Sequence, residues 1–459
     1  MYFTEKELID KANEAKGKSF SEIDIYNRLD KTTKGQFGHV IEESLFGYDI
    51  NSKAGPDFEE LDIELKVTPI KINKNKTFSS KERLVLNIID YMTEPYASFN
   101  HSSFWHKNKK LLLMFYLWLP EINSKDYKII DSFIYTYPEE DLEIIKHDWQ
   151  IIVNKIIAGK AHELSEGDTF YLGACTKGAN SKSMRSQPFS EVLAKQRAYS
   201  LKQSYMTTLV RKQLAGNKLI KIASFDKLKD NTLEELIELK FSPYYSKSLS
   251  QLSKELNIKI NKSSKSYIPQ FISTILGIRG TKLNDIEEFA KADIKFKTIR
   301  IEPNGKPQES MSFEKIDFNE WQKEIKWEDS FLYNRFDKSK ILFIVLEYKE
   351  SKKSNPNRLL YFKKVKLWNM PSTILDNEVK NLWLETKKIL EEGIKIEHCI
   401  RGSKVVERNN LPKSTFNGVA HIRPKARDGQ DKYLLNDGQK ITKQCFWLNS
   451  SYVAEILND

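Results

Sequence analysis

The strongest constraint on this chain is that its sequence runs through one plan twice. Residues 62–70 read DIELKVTPI and residues 293–301 read DIKFKTIRI, an offset of 231. Upstream, ELIDKANEAKGKSFSEI (7–23) has a counterpart in ELIELKFSPYYSKSLSQL (235–252), where Ser19 and Ser248 are each followed by an apolar residue and another serine. Between these anchors HVIEESLFG (39–47) faces QFISTILGI (270–278), and near the ends AYSLKQSYM (198–206) matches CFWLNSSYV (445–453). Matches in one order at similar offsets predict two α/β domains built alike. The polar, basic stretch 216–231 precedes a new helix at Thr232. It is read as a linker between domains 1–215 and 232–459, and residues 1–215 are expected to fold alone.

Composition excludes several classes. With 25 Phe, 20 Tyr and 8 Trp, the chain has too much apolar surface to remain disordered. The longest apolar run, Leu111–Leu119, stops at Pro120 and suits a buried strand, being too short for a membrane span. The opening MYFTEKELID carries acids where a secretory signal would be basic and apolar. Cys175, Cys399 and Cys445 have neither disulfide nor zinc spacing, so a cytoplasmic location is expected. The net charge of +11 is uneven: residues 1–154 carry −6, 155–230 carry +8 and 231–459 carry +9. Basic residues interleaved with Ser, Asn, Gln and Tyr suit phosphate and base contacts, although a solvated lysine-rich surface gives the same count.

Chemistry concentrates in PDFEELDIELKVT (56–68). Ile63, Leu65 and Val67 alternate with Glu64, Lys66 and Thr68, the period of a strand, so Glu64 and Lys66 leave the same face. A turn through Glu59–Asp62 brings Asp57 beside Glu64. Two carboxylates and the carbonyl between them form the oxygen-rich, partly filled shell that magnesium prefers. Lys66 beside it is suited to hold or deprotonate an attacking water and to stabilise charge on phosphorus. TKGQFGHVIEESLFG, just upstream, reads as a helix with Lys34, Gly38 and Glu42 on one side. Glu43 is the competing acid. In the second copy Lys295 stands in the place of Glu64, Lys297 in that of Lys66 and Glu288 in that of Asp57, with Ile272 or Ser273 facing Glu42. That copy is expected to bind no metal and to cut nothing.

The series Lys34, Glu42, Asp57 and Glu64-Leu65-Lys66 resembles the active-site pattern of MutH, the GATC-specific mismatch-repair nicking enzyme, and of the Sau-type GATC-cutting type II restriction endonucleases. SSKERLVLNIIDY (79–91), GKAHELSEGDTFYLGACTKGAN (159–180) and AKQRAYSLKQSYMTTLVRK (194–212) are similar to the restriction branch. The resemblance implies two restriction-endonuclease-like α/β domains, each a central mixed sheet flanked by helices. It implies Mg2+-dependent double-strand cleavage of DNA at GATC with 5′-phosphate ends. Asp57, Glu64 and the Leu65 carbonyl would hold the metal, with Lys66 catalytic and Glu42 and Lys34 assisting. A further active-site lysine maps to Lys107, with Lys109 and Lys110 as alternatives.

The family's reading pattern falls on Lys177 and Asn180 in the first copy and on Arg423 and Lys425 in the second, with Tyr199 and Lys202 extending the surface. Lys and Arg suit guanine, and Asn suits adenine. The second copy is then an allosteric DNA-binding effector. A homodimer on palindromic DNA and a companion methyltransferase protecting host DNA complete the expected partners. A repair nickase and a non-catalytic GATC-binding regulator are the other readings. The duplication argues against the first and the clustered carboxylates against the second.

Overall fold

A computed structural model of the chain describes residues 2–30, 35–50, 54–178, 183–258, 267–278, 282–401 and 404–458. Packing divides it into two units. Unit 1 is Met1–Leu236 with Leu283–Asp293, and unit 2 is Ile237–Lys282 with Ile294–Asp459.

Unit 1 is organised by β1 (Glu64–Ile72). It pairs antiparallel with β2 (Phe78–Ser80) on one side and parallel with β4 (Lys110–Leu117) on the other, where β5 (Ile129–Thr136) follows antiparallel. The run Leu111–Phe115 is fully buried, as an interior strand covered on both faces requires. A parallel pair needs a crossover, and the chain makes it through β3 (Leu84–Ile88) and the helix Ser103–Asn108. A second sheet has the order β3-β9-β6, with β6 (Leu172–Thr176) and β9 (Arg197–Leu201) both antiparallel to their neighbours. A hairpin of β7 (Met184–Gln187) and β8 (Ser190–Lys195) stands between them in sequence. The helix Glu139–Ile157 buries Ile144, Ile145, Trp149, Ile152, Val153 and Ile156, one face at helical spacing. From that face Asp148 accepts N–H bonds from Phe170, Tyr171 and Leu172 at 2.6–2.9 Å, pinning the start of β6.

Unit 2 repeats the plan. β10 (Lys295–Ile301) runs parallel to β12 (Ile341–Tyr348), which pairs antiparallel with β13 (Leu360–Trp368). β11 (Met311–Lys315), β19 (Gln444–Leu448) and β16 (Ala420–Pro424) form the second sheet. The hairpins β14–β15 (Ile396–Arg401, Lys404–Asn409) and β17–β18 (Lys432–Leu434, Lys440–Thr442) complete it. Ser19 and Ser248 both close capping boxes, and Asp62 and Asp293 both adopt φ near +55° just before their strands. In each unit the sheet that carries the parallel pair is mixed, the second sheet is antiparallel, and helices flank them, the restriction-endonuclease-like architecture the resemblance implied.

One segment departs from the expected division. Residues 216–231 are not an open linker: they contain the helix Phe225–Asp230, and Ile220 bridges Ile286. Glu288, which matches Asp57 by offset, accepts the N–H groups of Ile222 and Ala223 at 2.9 Å. The helix Glu287–Ala292 thereby packs within unit 1. Its Lys291 is buried between Asp141 (2.6 and 2.8 Å) and Glu287 (2.6 Å), with the rings of Tyr171 and Tyr205 facing the ammonium. Tyr205 Oη donates to the same Asp141 at 2.8 Å. Removing one member of such a pair leaves a buried charge alone. Lys291→Ala should therefore cost about 3–5 kcal/mol, read as a lower urea midpoint for the unit 1 transition. The double variant Asp141→Leu/Lys291→Met should recover most of it. Equal midpoints for wild type and Lys291→Ala would contradict this account.

Candidate active site

The turn between Asp57 and β1 is built by backbone first. Phe58 and Ile63 exchange N–H···O bonds, a 3-10 turn covers Glu59–Leu61, and Asp62 reverses the chain in the left-handed region. Asp57 is thus returned to the head of β1. Its Oδ2 accepts the Leu65 N–H at 2.9 Å, while its own N–H donates to Glu64 Oε2 at 3.2 Å. The two carboxylates are interlocked through the main chain, as the sequence spacing anticipated.

Glu64 is buried on β1, with Lys66 Nζ 2.8 Å from its Oε1. Burial raises the Glu64 carboxyl above the usual range, and the charges of Lys66 and Lys107 oppose that rise while Asp57 adds to it. Lys107 comes from the helix Ser103–Asn108 and stands 3.6 Å from Glu64 Oε1. Lys109 instead pairs with Asp62 at 2.9 Å and Lys110 with Glu5 at 2.5 Å. Of the three candidate lysines, Lys107 alone is the one shown against Glu64.

Glu42 arrives from the other side. The helix begins as an α-turn over Gln36–Val40 and widens to a π-turn over Ile41–Leu45, so the extra residue sits where Glu42 is presented. Burial pushes the Glu42 carboxyl up to about 7, and the negative charges of Asp57 and Glu64 push in the same direction. Glu43 is occupied elsewhere, in a bidentate pair with Arg28. Lys34 lies outside the described residues. The centre therefore gathers Glu42, Asp57, Glu64, Lys66 and Lys107: carboxylates that repel one another, flanked by two lysines.

The expected reading surface fares unevenly. Lys177 is exposed just beyond β6, and Asn180 lies outside the described residues. Tyr199 and Lys202 are corrected: both are buried. Tyr199 Oη donates to Glu94 at 3.0 Å and Lys202 Nζ to the Thr169 carbonyl at 2.6 Å, so neither offers DNA a polar group. Tyr199 lies on β9, the middle strand of its sheet and buried along its whole length, and Lys202 is the residue just after that strand. In unit 2 Arg423 and Lys425 are exposed over the Trp447 ring, at 5.2 and 5.8 Å.

Sequence reasoning missed Glu94. It is buried and accepts bonds from Ser103 Oγ (2.6 Å), Trp149 Nε1 (2.9 Å) and Tyr199 Oη (3.0 Å). Through Ser103 it fixes the first turn of the helix that carries Lys107. A lone acid before Pro95 carries no pattern that could have signalled this.

Fold and site together define a nuclease of the restriction-endonuclease-like class. The family described as DNA mismatch repair enzyme MutH matches residues 46–148 and 281–380, one segment in each copy. The type II restriction enzyme Sau3AI of Staphylococcus aureus is 35% identical over 499 aligned positions, covering 100% of this chain and 99% of that one. DNA mismatch repair proteins MutH of Shewanella woodyi (31%) and Vibrio vulnificus (29%) align with 39% of this chain and with 77% and 80% of their own. The chain belongs to the family of MutH and the Sau-type restriction enzymes, and it is an enzyme of that class.

The raised Glu42 carboxyl has a stability consequence. A carboxyl whose folded pKa lies above its unfolded value favours the fold most at low pH, and that contribution disappears as pH rises through the folded value, here about 7. In metal-free protein, Glu42→Gln should therefore melt a few degrees above wild type at pH 8 and level with it at pH 4.5. A gap that does not change between the two pH values would refute the coupling.

Proposed function

We propose that this chain is a type II restriction endonuclease that makes Mg2+-dependent double-strand cuts in duplex DNA at GATC and leaves 5′-phosphate ends. Unit 1 cuts, and unit 2 binds DNA as an allosteric effector. The observation that carries the reading is the meeting of Lys66 and Lys107 on Glu64, with Asp57 locked to the same turn. Full-length similarity to a restriction enzyme, against partial coverage by the MutH repair proteins, favours double-strand cutting over nicking.

Among the described residues, no group of three or more His, Cys, Asp or Glu stands ready-made as a metal site. The donor chemistry nonetheless fits magnesium: Asp57 and Glu64 are adjacent hard-oxygen ligands, and the mutual repulsion that raises Glu42 is what a divalent cation would relieve. Asp57, Glu64 and the Leu65 carbonyl would hold it, and when bound it supplies Lewis-acid stabilisation of charge at the scissile phosphate. Lys66 holds the attacking water and stabilises the charge that builds on the phosphoryl oxygens. Glu42, titrating near neutrality, can accept the proton the water gives up. Lys107 pairs with Glu64 and adds a second cation towards the phosphate. The new bond joins the water oxygen to phosphorus while the P–O3′ bond breaks, leaving a 3′-hydroxyl and a 5′-phosphate. One cutting centre per chain cuts one strand per engagement, so two chains on a palindrome complete the break. A companion methyltransferase would protect the host's own sites.

Plasmid digestion tests the whole reading. With magnesium, wild type should give linear fragments ending at GATC, and chelation with EDTA should stop it. Nicked circles alone would favour a repair nickase, and unchanged plasmid a binding regulator. Glu64→Ala or Lys66→Ala should lower the cleavage rate about a thousandfold while leaving duplex affinity nearly unchanged. Either variant cutting at the wild-type rate would remove the site assignment. A two-site plasmid should be cut faster per site than a one-site plasmid, a coupling of about 1–3 kcal/mol. Arg423→Ala should erase that advantage, and equal rates per site in wild type would remove the effector role.

A further inference from the structure

In unit 2 two lysines from distant parts of the sequence converge on one serine. Lys297, on β10, donates to the Ser312 carbonyl at 2.6 Å and lies 4.6 Å from the Phe313 ring centre. Lys425, just beyond β16, donates to Ser312 Oγ. A cavity of about 320 Å³ opens beside Lys297 and Ser312, lined also by Arg300, Gln308, Glu309 and Ser310 among others, and Lys425 reaches its wall through Ser312. Glu314, the carboxylate whose charge reaches Lys297, is already held by Arg335 at 3.0 and 3.1 Å.

The comparison with unit 1 gives this cluster its meaning. Lys66, the match of Lys297, contacts the carboxylate of Glu64, and Lys295 replaces that glutamate. The copy has thus exchanged an anion for a cation while keeping the lysine, and in unit 2 a cavity lies at that lysine's side. Burial pushes the Lys297 ammonium down to about 8; the charge of Glu314 opposes that and the like charges of Arg335 and Lys425 add to it, a pressure that an incoming anion would relieve. Ser310, Ser312, Gln308 and Arg300 in its lining are residues of the donor types that a tetrahedral oxyanion takes, with Glu309 the one carboxylate among them.

We propose that this cavity is a phosphate-binding site, in which Lys297 and Lys425 hold one phosphate group and no bond is cut. The phosphate takes the electrostatic part that Glu64 plays in unit 1. Its carrier is either a DNA phosphodiester or free phosphate, and only the first of these rests on the DNA-binding role proposed above for unit 2.

The test uses the full chain without divalent metal. Calorimetric titration with inorganic phosphate, at ionic strength matched with chloride, should show binding to wild type and to Lys297→Arg. Lys297→Met and Lys425→Gln should each weaken it about tenfold, the loss of one charge-assisted hydrogen bond. Lys297→Arg keeps the charge, so retained binding there separates loss of the site from loss of the fold. Phosphate binding that is absent from wild type, or unchanged in both neutral variants, would overturn the proposal. A second arm titrates a short duplex. If phosphate competes with the duplex for wild type but not for Lys297→Met, the carrier is the nucleic-acid backbone. If duplex affinity ignores Lys297→Met while phosphate binding is lost, the pocket takes free phosphate. In that last case the pocket stands even where the DNA-binding role does not.

Discussion

A single buried carboxylate ties together the parts of unit 1 that chemistry needs. Glu64 takes the Asp57 N–H on one oxygen and faces Lys66 and Lys107 with the other. A turn, a strand and a helix therefore share one anchor. Burial raises that carboxyl above its usual range, and the two lysines oppose the rise. The burial that makes the site costly also keeps its dielectric low, where fixed charges act most strongly on a reacting phosphate.

The two copies show how little must change for this scaffold to lose such a centre. The strand pairing, the serine caps and the left-handed aspartate before the strand are all retained in unit 2. What changes is polar: lysine for Glu64, and a carboxylate at 288 that accepts the N–H groups of Ile222 and Ala223 where Asp57 accepts that of Leu65 beside Glu64. Backbone architecture and site chemistry are separable here. The apolar alternation that sets the fold survived, while the residues on the opposite strand face were free to change sign.

That separation explains what could be read in advance. Glu64 and Lys66 were legible because a period of two puts them on one face, and Asp57 because a short turn can only return it nearby. Lys107 was one of three lysines within four positions, and only the helix-to-strand junction decides which one faces Glu64. Tyr199 and Lys202 looked like DNA contacts because polar and aromatic residues in a basic stretch look alike whether exposed or buried. The burial of Tyr199 goes with β9 being a middle strand, and that of Lys202 with the Thr169 carbonyl that its ammonium reaches, facts that no local pattern carries. The π-turn under Glu42 and the Glu94 hub depend on partners far away in sequence, so spacing alone could not show them.

The excursion of Leu283–Asp293 changes what counts as half of this molecule. The chain passes between the units at 236–237, 282–283 and 293–294, where a simple tandem would cross once. A gene severed anywhere in 216–231 would separate Asp141 from the ammonium of Lys291 that faces it. A boundary drawn for unit 1 has to carry Leu283–Asp293 with it, because that segment supplies the ammonium that faces Asp141.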